Sequence, residues 1–241
     1  MNNVLGKRLG IKTLTFEKNT WYNIHFFIYS VIKRVLDIIF SLIGILISLP
    51  IMIVLAIVIK LDSPGPVIFK QERTGLHGKT FKVMKFRSMP VHNDVHDFSK
   101  ADEHTKVGSF IRKTSLDEIP QLFNILLGQM TFIGPRPWIT DYYDNMNKKE
   151  RVRCDVLPGI TGLAQAKGRN NISVFEKINF DIEYIRDFGL LEDIKVVFLT
   201  IKTVLSKEGA DAGKNTIRNE INDLKIENTL FNLKPIKSNL L

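Results

Sequence analysis

IIFSLIGILISLPIMIVLAIVI, residues 38–59, is the stretch that decides the fold: 22 residues pass without a charge. At about 1.5 Å of rise per residue this is enough helix to cross a bilayer core of about 30 Å, and a soluble core helix of that length would be unusual. Membrane insertion is therefore the first expectation. Lys7, Arg8, Lys12, Lys18, Lys33 and Arg34 precede the run, and Lys60, Lys70, Arg73, Lys79, Lys82 and Lys85 follow it, so the positive-inside rule puts both flanks on the cytoplasmic face. Pro50 interrupts the run, with Ser48 two residues before it. A proline removes one backbone hydrogen bond and kinks a helix, and a serine hydroxyl can satisfy a freed carbonyl. Helix, break at Ser48 and Pro50, helix, entering and leaving by the same face, reconciles the charges with the proline. A single kinked span with the N-terminus outside is the competing topology.

Upstream, Trp21, Tyr22, Phe26, Phe27 and Tyr29 crowd together beside scattered lysines, a composition suited to a membrane interface. A secretory signal peptide fits poorly, because the apolar run begins late and no small-residue cleavage site follows. Downstream, Ser63-Pro64-Gly65-Pro66 leads into two runs of strand formers, Val67–Phe69 and Phe81–Phe86, around Gly75-Leu76-His77-Gly78; this predicts a β-hairpin with a glycine turn. Seven Lys or Arg between Lys60 and Arg87 face only Asp62 and Glu72. Such a strip either holds anionic headgroups and phosphates or is a solvated basic face.

Thr114-Ser115-Leu116-Asp117-Glu118-Ile119-Pro120-Gln121 sets two acidic residues immediately before a short apolar helix, read from Ile119, Leu122, Phe123 and Leu126, with Pro120 at its first position and Gly128 just past its end. Carboxylates there are favoured by the helix dipole. A capping box of Ser115 and Glu118 is the alternative, but it would push Pro120 too deep into the helix. Farther on, Gly134-Pro135-Arg136-Pro137 holds Arg136 between two prolines on extended, stiff backbone. A guanidinium presented this way suits a phosphate clamp, and an ordinary Pro-rich turn with a solvated arginine is the other reading.

The remaining chain is less pointed. Residues 90–106 read as a polar loop whose His92, His96 and His104 match no zinc spacing. Asp141 to Asp155 has helical polarity. Gly159 to Asn170 is glycine-rich and ends at Arg169, plausible for phosphate contact, yet it has neither P-loop nor dinucleotide spacing. A helix from Leu190 to Lys207 carries a stripe of Ile194, Val197, Phe198, Ile201, Val204 and Leu205, which core packing explains by default and docking on a membrane surface explains more sharply. The tail beyond Gly209 is rich in Asn and Lys, with a weak stripe at Ile217, Ile221 and Leu224, and receives no function. A net charge of +9 calls for an anionic partner. The single cysteine, Cys154, excludes an intramolecular disulfide, and nucleic acid is disfavoured because the charge clusters beside a membrane segment and no recognition motif is present.

Several ordered blocks make the segment from Lys33 to about Glu208 resemble the bacterial sugar transferases known as monotopic phosphoglycosyl transferases. They are Lys33-Arg34 with Asp37, Gly65 to Phe69 with Gln71 and Arg73, Lys85 to Met89, Ser115 to Gln121 with Asn124, Gly134 to Pro137, Pro158 to Asn170, and Asp181 with Tyr184. The family's serine is directly followed by proline, whereas Leu49 intervenes here. For its span the resemblance implies a re-entrant membrane hairpin (33–60) and a compact cytosolic catalytic domain with a small β-hairpin (61–208); with the flanks read above, an interfacial extension (1–32) and a polar C-terminal tail (209–241), the chain is expected to be mostly helical α+β in four parts. It also implies an inner-membrane enzyme moving a phosphosugar from a UDP-sugar to polyprenyl phosphate in capsule, exopolysaccharide or glycoprotein glycan assembly. Asp117 would be the nucleophile of a covalent intermediate, Glu118 its partner, and Mg2+ would sit at the pair. Arg87, Arg112, Arg136, Arg169, Asp181 and Tyr184 would contact phosphate or nucleotide. A non-catalytic scaffold on anionic lipid is the competing class, and a homo-oligomer is left open.

Overall fold

The computed structural model of the chain describes residues 20–90, 104–168, 172–206 and 217–233. The apolar run lies inside one helix, α1 (Thr20–Asp62), which begins well before Lys33 and contains Pro50. Lys33, Asp37, Ser41, Leu55 and Ile59 are its buried positions, with Gly44, Ser48 and Met52 half-buried between them. These residues recur every three or four positions and so form one narrow stripe against the rest of the protein. The remaining faces are bare: Leu46 and Ile47 are 73% and 70% exposed. Only 11% of the most apolar window is buried, and the helix is long and apolar enough to cross a membrane. A soluble core helix of this kind would be mostly buried.

Polar contacts fix the docked stripe. Arg34 donates to the carbonyls of Ile125 and Leu126 at 2.6 and 2.8 Å, a cation placed at the C-terminal end of the helix α3 described below. Asp37 accepts from Thr131 Oγ1 and the Phe132 amide at 3.0 and 3.1 Å, and Lys33 pairs with Asp193. Ser48 departs from expectation in one detail. Its hydroxyl donates to the Gly44 carbonyl at 2.6 Å, whereas the carbonyl that Pro50 leaves without a donor is that of Leu46, four residues back. Back-bonding of this kind itself bends helices slightly.

The hairpin forms as expected. β1 (Ile68–Thr74) pairs antiparallel with β2 (Thr80–Phe86) in the register Phe69↔Lys85, Gln71↔Val83 and Arg73↔Phe81, which places these six side chains on one face. The turn uses positive φ at His77 and Gly78. Then come α2 (Lys106–Lys113), a 3-10 turn (Leu116–Glu118) and α3 (Gln121–Leu126). Pro120 stands at the N-cap of α3, one position earlier than expected, and Gly128 closes the end at φ 76°. Buried Asn124 ties α3 to β2 by accepting from the Met84 amide and donating to the Lys82 carbonyl, both at 2.9 Å.

A second sheet was not foreseen: β3 (Thr131–Ile133) runs parallel to β4 (Gly159–Thr161), and three residues are too few to display a period of two. Between them the expected helix over 141–155 is broken into α4 (Thr140–Asp144) and a 3-10 turn (Glu150–Cys154). Asn147 is the cause, since its side-chain oxygen accepts from the Lys149 and Glu150 amides at 2.9 and 3.1 Å and starts the second turn. The chain continues through α5 (Leu163–Gly168), α6 (Val174–Arg186), α7 (Leu190–Ser206) and α8 (Ile217–Leu233). Ser173 and Glu176 form a capping box at the start of α6.

Core packing does not explain the α7 stripe: Phe198, Ile201, Val204 and Leu205 are 51–78% exposed, while Val196 on the opposite side is fully buried beside Tyr184 and Ile185. The weak stripe of the C-terminal segment does form a helix with a docked face: Leu224 of α8 is fully buried among Tyr142, Ile178 and Ile182.

Candidate active site

Ser115 sets the geometry. Its φ of 58° places a non-glycine residue in the left-handed region, reversing the chain between α2 and the 3-10 turn. Leu116 and Ile119 then pack toward Ile111, Phe86, Leu55 and Ile59. Ser115 makes no side-chain cap bond, so the capping box is absent and Glu118 is engaged elsewhere. Glu118 Oε1 accepts from Lys85 Nζ at 2.6 Å and from Arg136 Nη2 at 2.7 Å. Lys85 reaches this point because it projects from the inward face of β2, and Arg136 because its loop leaves β3 under tight control. On the upstream side the Gly134 amide donates to Thr161 O at 2.8 Å and Pro135 O accepts from the Gly159 amide at 2.9 Å.

The two carboxylates differ sharply. Burial alone would raise the pKa of Glu118, but Arg136 and Lys85 outweigh it and hold the group at about 2. Asp117 is 8% exposed, and its nearest cation is Lys85 at 3.7 Å. Its pKa is raised, first by burial and then by the charge of Glu118, with Lys85, Arg112 and Arg136 only partly opposing. Glu118 thus spends its charge orienting two cations, while Asp117 keeps a carboxylate whose ionised form is poorly compensated. Such a group gains when further positive charge or a polarised electrophile arrives. Arg73 lies in the same field: burial, then Arg136, lower its pKa to about 10.

Of the residues singled out from sequence, Asp117, Glu118 and Arg136 meet. Arg112 is exposed at the end of α2, bonded to the His104 ring at 3.1 Å, and its charge is felt at Asp117. The contacts of Arg87, Asp181 and Tyr184 lie elsewhere. Arg87 donates to Pro64 O at 2.8 Å and to Ser63 O at 2.6 Å, closing the turn after α1. Asp181 is buried against Arg153, with bonds of 2.9 and 2.7 Å. Arg153 in turn donates to the Arg136 carbonyl at 2.8 Å. Tyr184 donates to Asp193 Oδ1 at 2.6 Å, and its hydroxyl lies 3.1 Å from Ile133 O. These two residues of α6 hold the strand and loop carrying Arg136 from behind. Arg169 lies outside the described residues. Lys85 stands in the sequence only as one of the strip cations and as the first residue of a resemblance block; the pairing register with β1 is what places it on the inward face.

The pair offers hard oxygen donors, and among the described residues no group of three or more His, Cys, Asp or Glu could hold a metal. Two carboxylates, one already holding two cations, do not make a closed site. They fit an ion such as Mg2+, which takes one or two carboxylates and completes its shell with water and substrate phosphate.

Residues 28–207 match the family model described as bacterial sugar transferase. The galactosyl transferase CpsE of Streptococcus agalactiae is 42% identical over 207 residues, covering 78% of this chain and 46% of that protein. The UDP-glucose:undecaprenyl-phosphate glucose-1-phosphate transferase of Escherichia coli is 43% identical over 182 residues, 70% of this chain and 39% of the relative. The uncharacterized sugar transferase EpsL of Bacillus subtilis is 40% identical over 181 residues, 74% and 90% of the two chains. The chain thus spans less than half the length of the first two and nearly all of the third.

Proposed function

The chain belongs to the bacterial sugar transferases, and on that premise we propose that it transfers a phosphosugar from a UDP-sugar to a polyprenyl phosphate, undecaprenyl phosphate being the acceptor named for its relatives. The observation that carries this is the division of labour at the acidic pair. A diphosphate repels a carboxylate until its charge is offset, and Lys85 and Arg136, oriented by Glu118 at 2.6 and 2.7 Å, supply that offset beside Asp117.

In the first step an Asp117 oxygen attacks the phosphorus bearing the sugar. A carboxylate–phosphorus bond forms, the bridging P–O bond breaks, and UMP leaves with that oxygen. In the second step a phosphate oxygen of the lipid attacks the same phosphorus, forming the polyprenyl diphosphosugar and returning Asp117 as a carboxylate. Splitting the transfer in two lets a water-soluble donor and a membrane-bound acceptor use one site in turn. A magnesium ion held by Asp117 and Glu118 together with the donor's phosphates would neutralise charge on the diphosphate oxygens.

The site would work at the cytoplasmic surface of the inner membrane. The exposed faces of α1 and the exposed stripe of α7 supply apolar surface for that placement, and their residues converge where Lys33 pairs with Asp193. A re-entrant course for α1 is supported by its contacts. Phe26 packs on Phe188 at 4.7 Å between ring centroids, and at the other end Ser63 holds Arg87. A straight helix between these points would be about 55 Å long, against about 38 Å across a globule of roughly 145 residues; a bend at Pro50 would let both arms meet one body. Single cysteines placed before Lys33 and after Lys60 should accordingly react with a membrane-impermeant reagent from the same side. Labelling from opposite sides would show a full span.

The pH dependence follows from the pair. Asp117 attacks only when ionised and its pKa is raised, so UMP release should fall on the acid side with a midpoint above the ordinary aspartate value, while Glu118, near 2, stays charged throughout. Glu118→Gln removes the neighbouring anion and frees Lys85 and Arg136 to face Asp117, which should move that midpoint to lower pH. The function itself is tested by incubating the protein with a panel of UDP-sugars, magnesium and undecaprenyl phosphate. UMP release that requires the lipid for turnover supports it, and no release from any donor removes it.

A further inference from the structure

Helix α8 lies beyond residues 28–207, the part matched by the family model, yet it ends a line of buried contacts that leads to Arg136. Glu220 is 6% exposed; its Oε2 accepts from Tyr142 Oη at 2.6 Å and its Oε1 pairs with Lys177 at 2.6 Å. The Tyr142 ring packs on Trp138, tilted by 50° with centroids 4.7 Å apart. The Arg153 guanidinium also lies over Trp138, 3.7 Å from its ring centroid, and Arg153 donates to the Arg136 carbonyl at 2.8 Å. Leu224 anchors α8 in the same cluster as Tyr142, Ile178 and Ile182.

This matters because the two halves of the Arg136 loop are held differently. Gly134 and Pro135 are fixed by backbone bonds to β4 and its approach. From Arg136 to Trp138 the loop is gripped by side chains instead, apart from the Trp138 carbonyl, which accepts from the Thr74 amide at 2.8 Å. The Tyr142 ring packs beside Trp138 in the buried cluster, and the partner of its hydroxyl comes from α8.

We propose that α8 is a brace for the phosphate clamp, and that Glu220 is a positioning residue acting through Tyr142, Trp138 and Arg153 on Arg136. This rests on the transferase reading above. Glu220 touches neither donor nor acceptor; it sets how well Arg136 is aimed. Misplacement of a reacting group by about 1 Å can cost about a hundred-fold in rate, and a loosened brace should cost about ten-fold.

The test is steady-state UMP release by the full chain with a UDP-sugar, magnesium and undecaprenyl phosphate, comparing wild type, Glu220→Ala and Glu220→Gln, each alone and in an Arg136→Lys background. Glu220→Ala should lower kcat/KM for the donor about ten-fold. Glu220→Gln, which still accepts from Tyr142, should remain within about two-fold. In the Arg136→Lys background Glu220→Ala should add less than about two-fold, because residues acting through a common group are not additive. If Glu220→Ala does not fold, Tyr142→Phe, which removes the same hydrogen bond, carries the same predictions. A full ten-fold loss persisting in the Arg136→Lys background would reveal a general weakening of the fold and overturn the brace. Wild-type release that Glu220→Ala leaves unchanged would overturn the inference alone, and a wild-type chain that releases no UMP would take the transferase reading with it.

Discussion

Asp117→Asn will lower UMP release by at least about a thousand-fold and yet leave the protein melting at the same temperature or higher. On the proposed mechanism the loss follows from removing the nucleophile, since an amide cannot form the carboxylate–phosphorus bond, and knock-outs of nucleophiles in covalent mechanisms commonly cost that much or more. The stability result follows from the sign of the pKa shift. Burial and the adjacent Glu118 raise the folded-state pKa of Asp117 above its unfolded value. The folded protein therefore binds that proton more tightly, and above this pKa the ionised carboxylate costs stability. Asparagine removes the charge without changing the shape. Thermal melting beside an initial-rate assay checks both halves. A variant that loses activity together with its fold would mean that Asp117 is a structural anchor, which its 3.7 Å separation from Lys85 does not suggest.

The second large effect is one of stability. Asp181→Ala should destabilise the protein by about 3–5 kcal/mol, because it leaves the Arg153 guanidinium buried and unpaired. The two side chains are 2% and 3% exposed. Asp187→Ala is the control. Its pair with Arg186 is equally short at 2.6 Å, but the side chains are 46% and 43% exposed, so its loss should cost less than about 1 kcal/mol. Urea unfolding midpoints for the two variants separate these predictions. Equal midpoints would show that burial does not govern the Asp181 pair.

How far the sequence can be read depends on whether a residue's role is local. The apolar run, the hairpin around Gly75 and Gly78, the acidic pair and the stiff Pro-Arg-Pro turn all carry their signal in neighbouring residues, and each is found in the structure. Lys85 does not: nothing around it distinguishes it from Lys82, and only the pairing register and the approach of the 3-10 turn bring it to Glu118. Asp181 and Tyr184 show the same limit in reverse. They belong to the blocks that carry the family resemblance, but their partners are Arg153, Ile133 and Asp193, separated from them by 28, 51 and 9 residues, and those partners turn them into supports for the clamp.

Apolar stripes mislead for a related reason. Helical spacing predicts that one face of α7 is covered, but not by what. Its stripe is left bare by the protein, whereas the first half of α1 turns its polar and small residues, Lys33, Asp37, Ser41 and Gly44, toward the protein and Leu42, Ile43, Leu46 and Ile47 away, leaving Leu55 and Ile59 farther along to dock apolar. That inversion is expected when the outer solvent is hydrocarbon. The weak stripe of α8 is the opposite case, since Ile217, Ile221 and Leu224 suffice to dock it because Glu220 finds both a hydroxyl and an ammonium beneath it.

The measurement closest to the central claim is the intact mass of the protein after brief exposure to a turned-over UDP-sugar with magnesium and no lipid acceptor. A gain of one sugar phosphate, mapped by peptide analysis to Asp117, absent from Asp117→Asn and discharged when undecaprenyl phosphate is added, is the predicted result. UMP released with no such adduct, or an adduct on a different side chain, would contradict it.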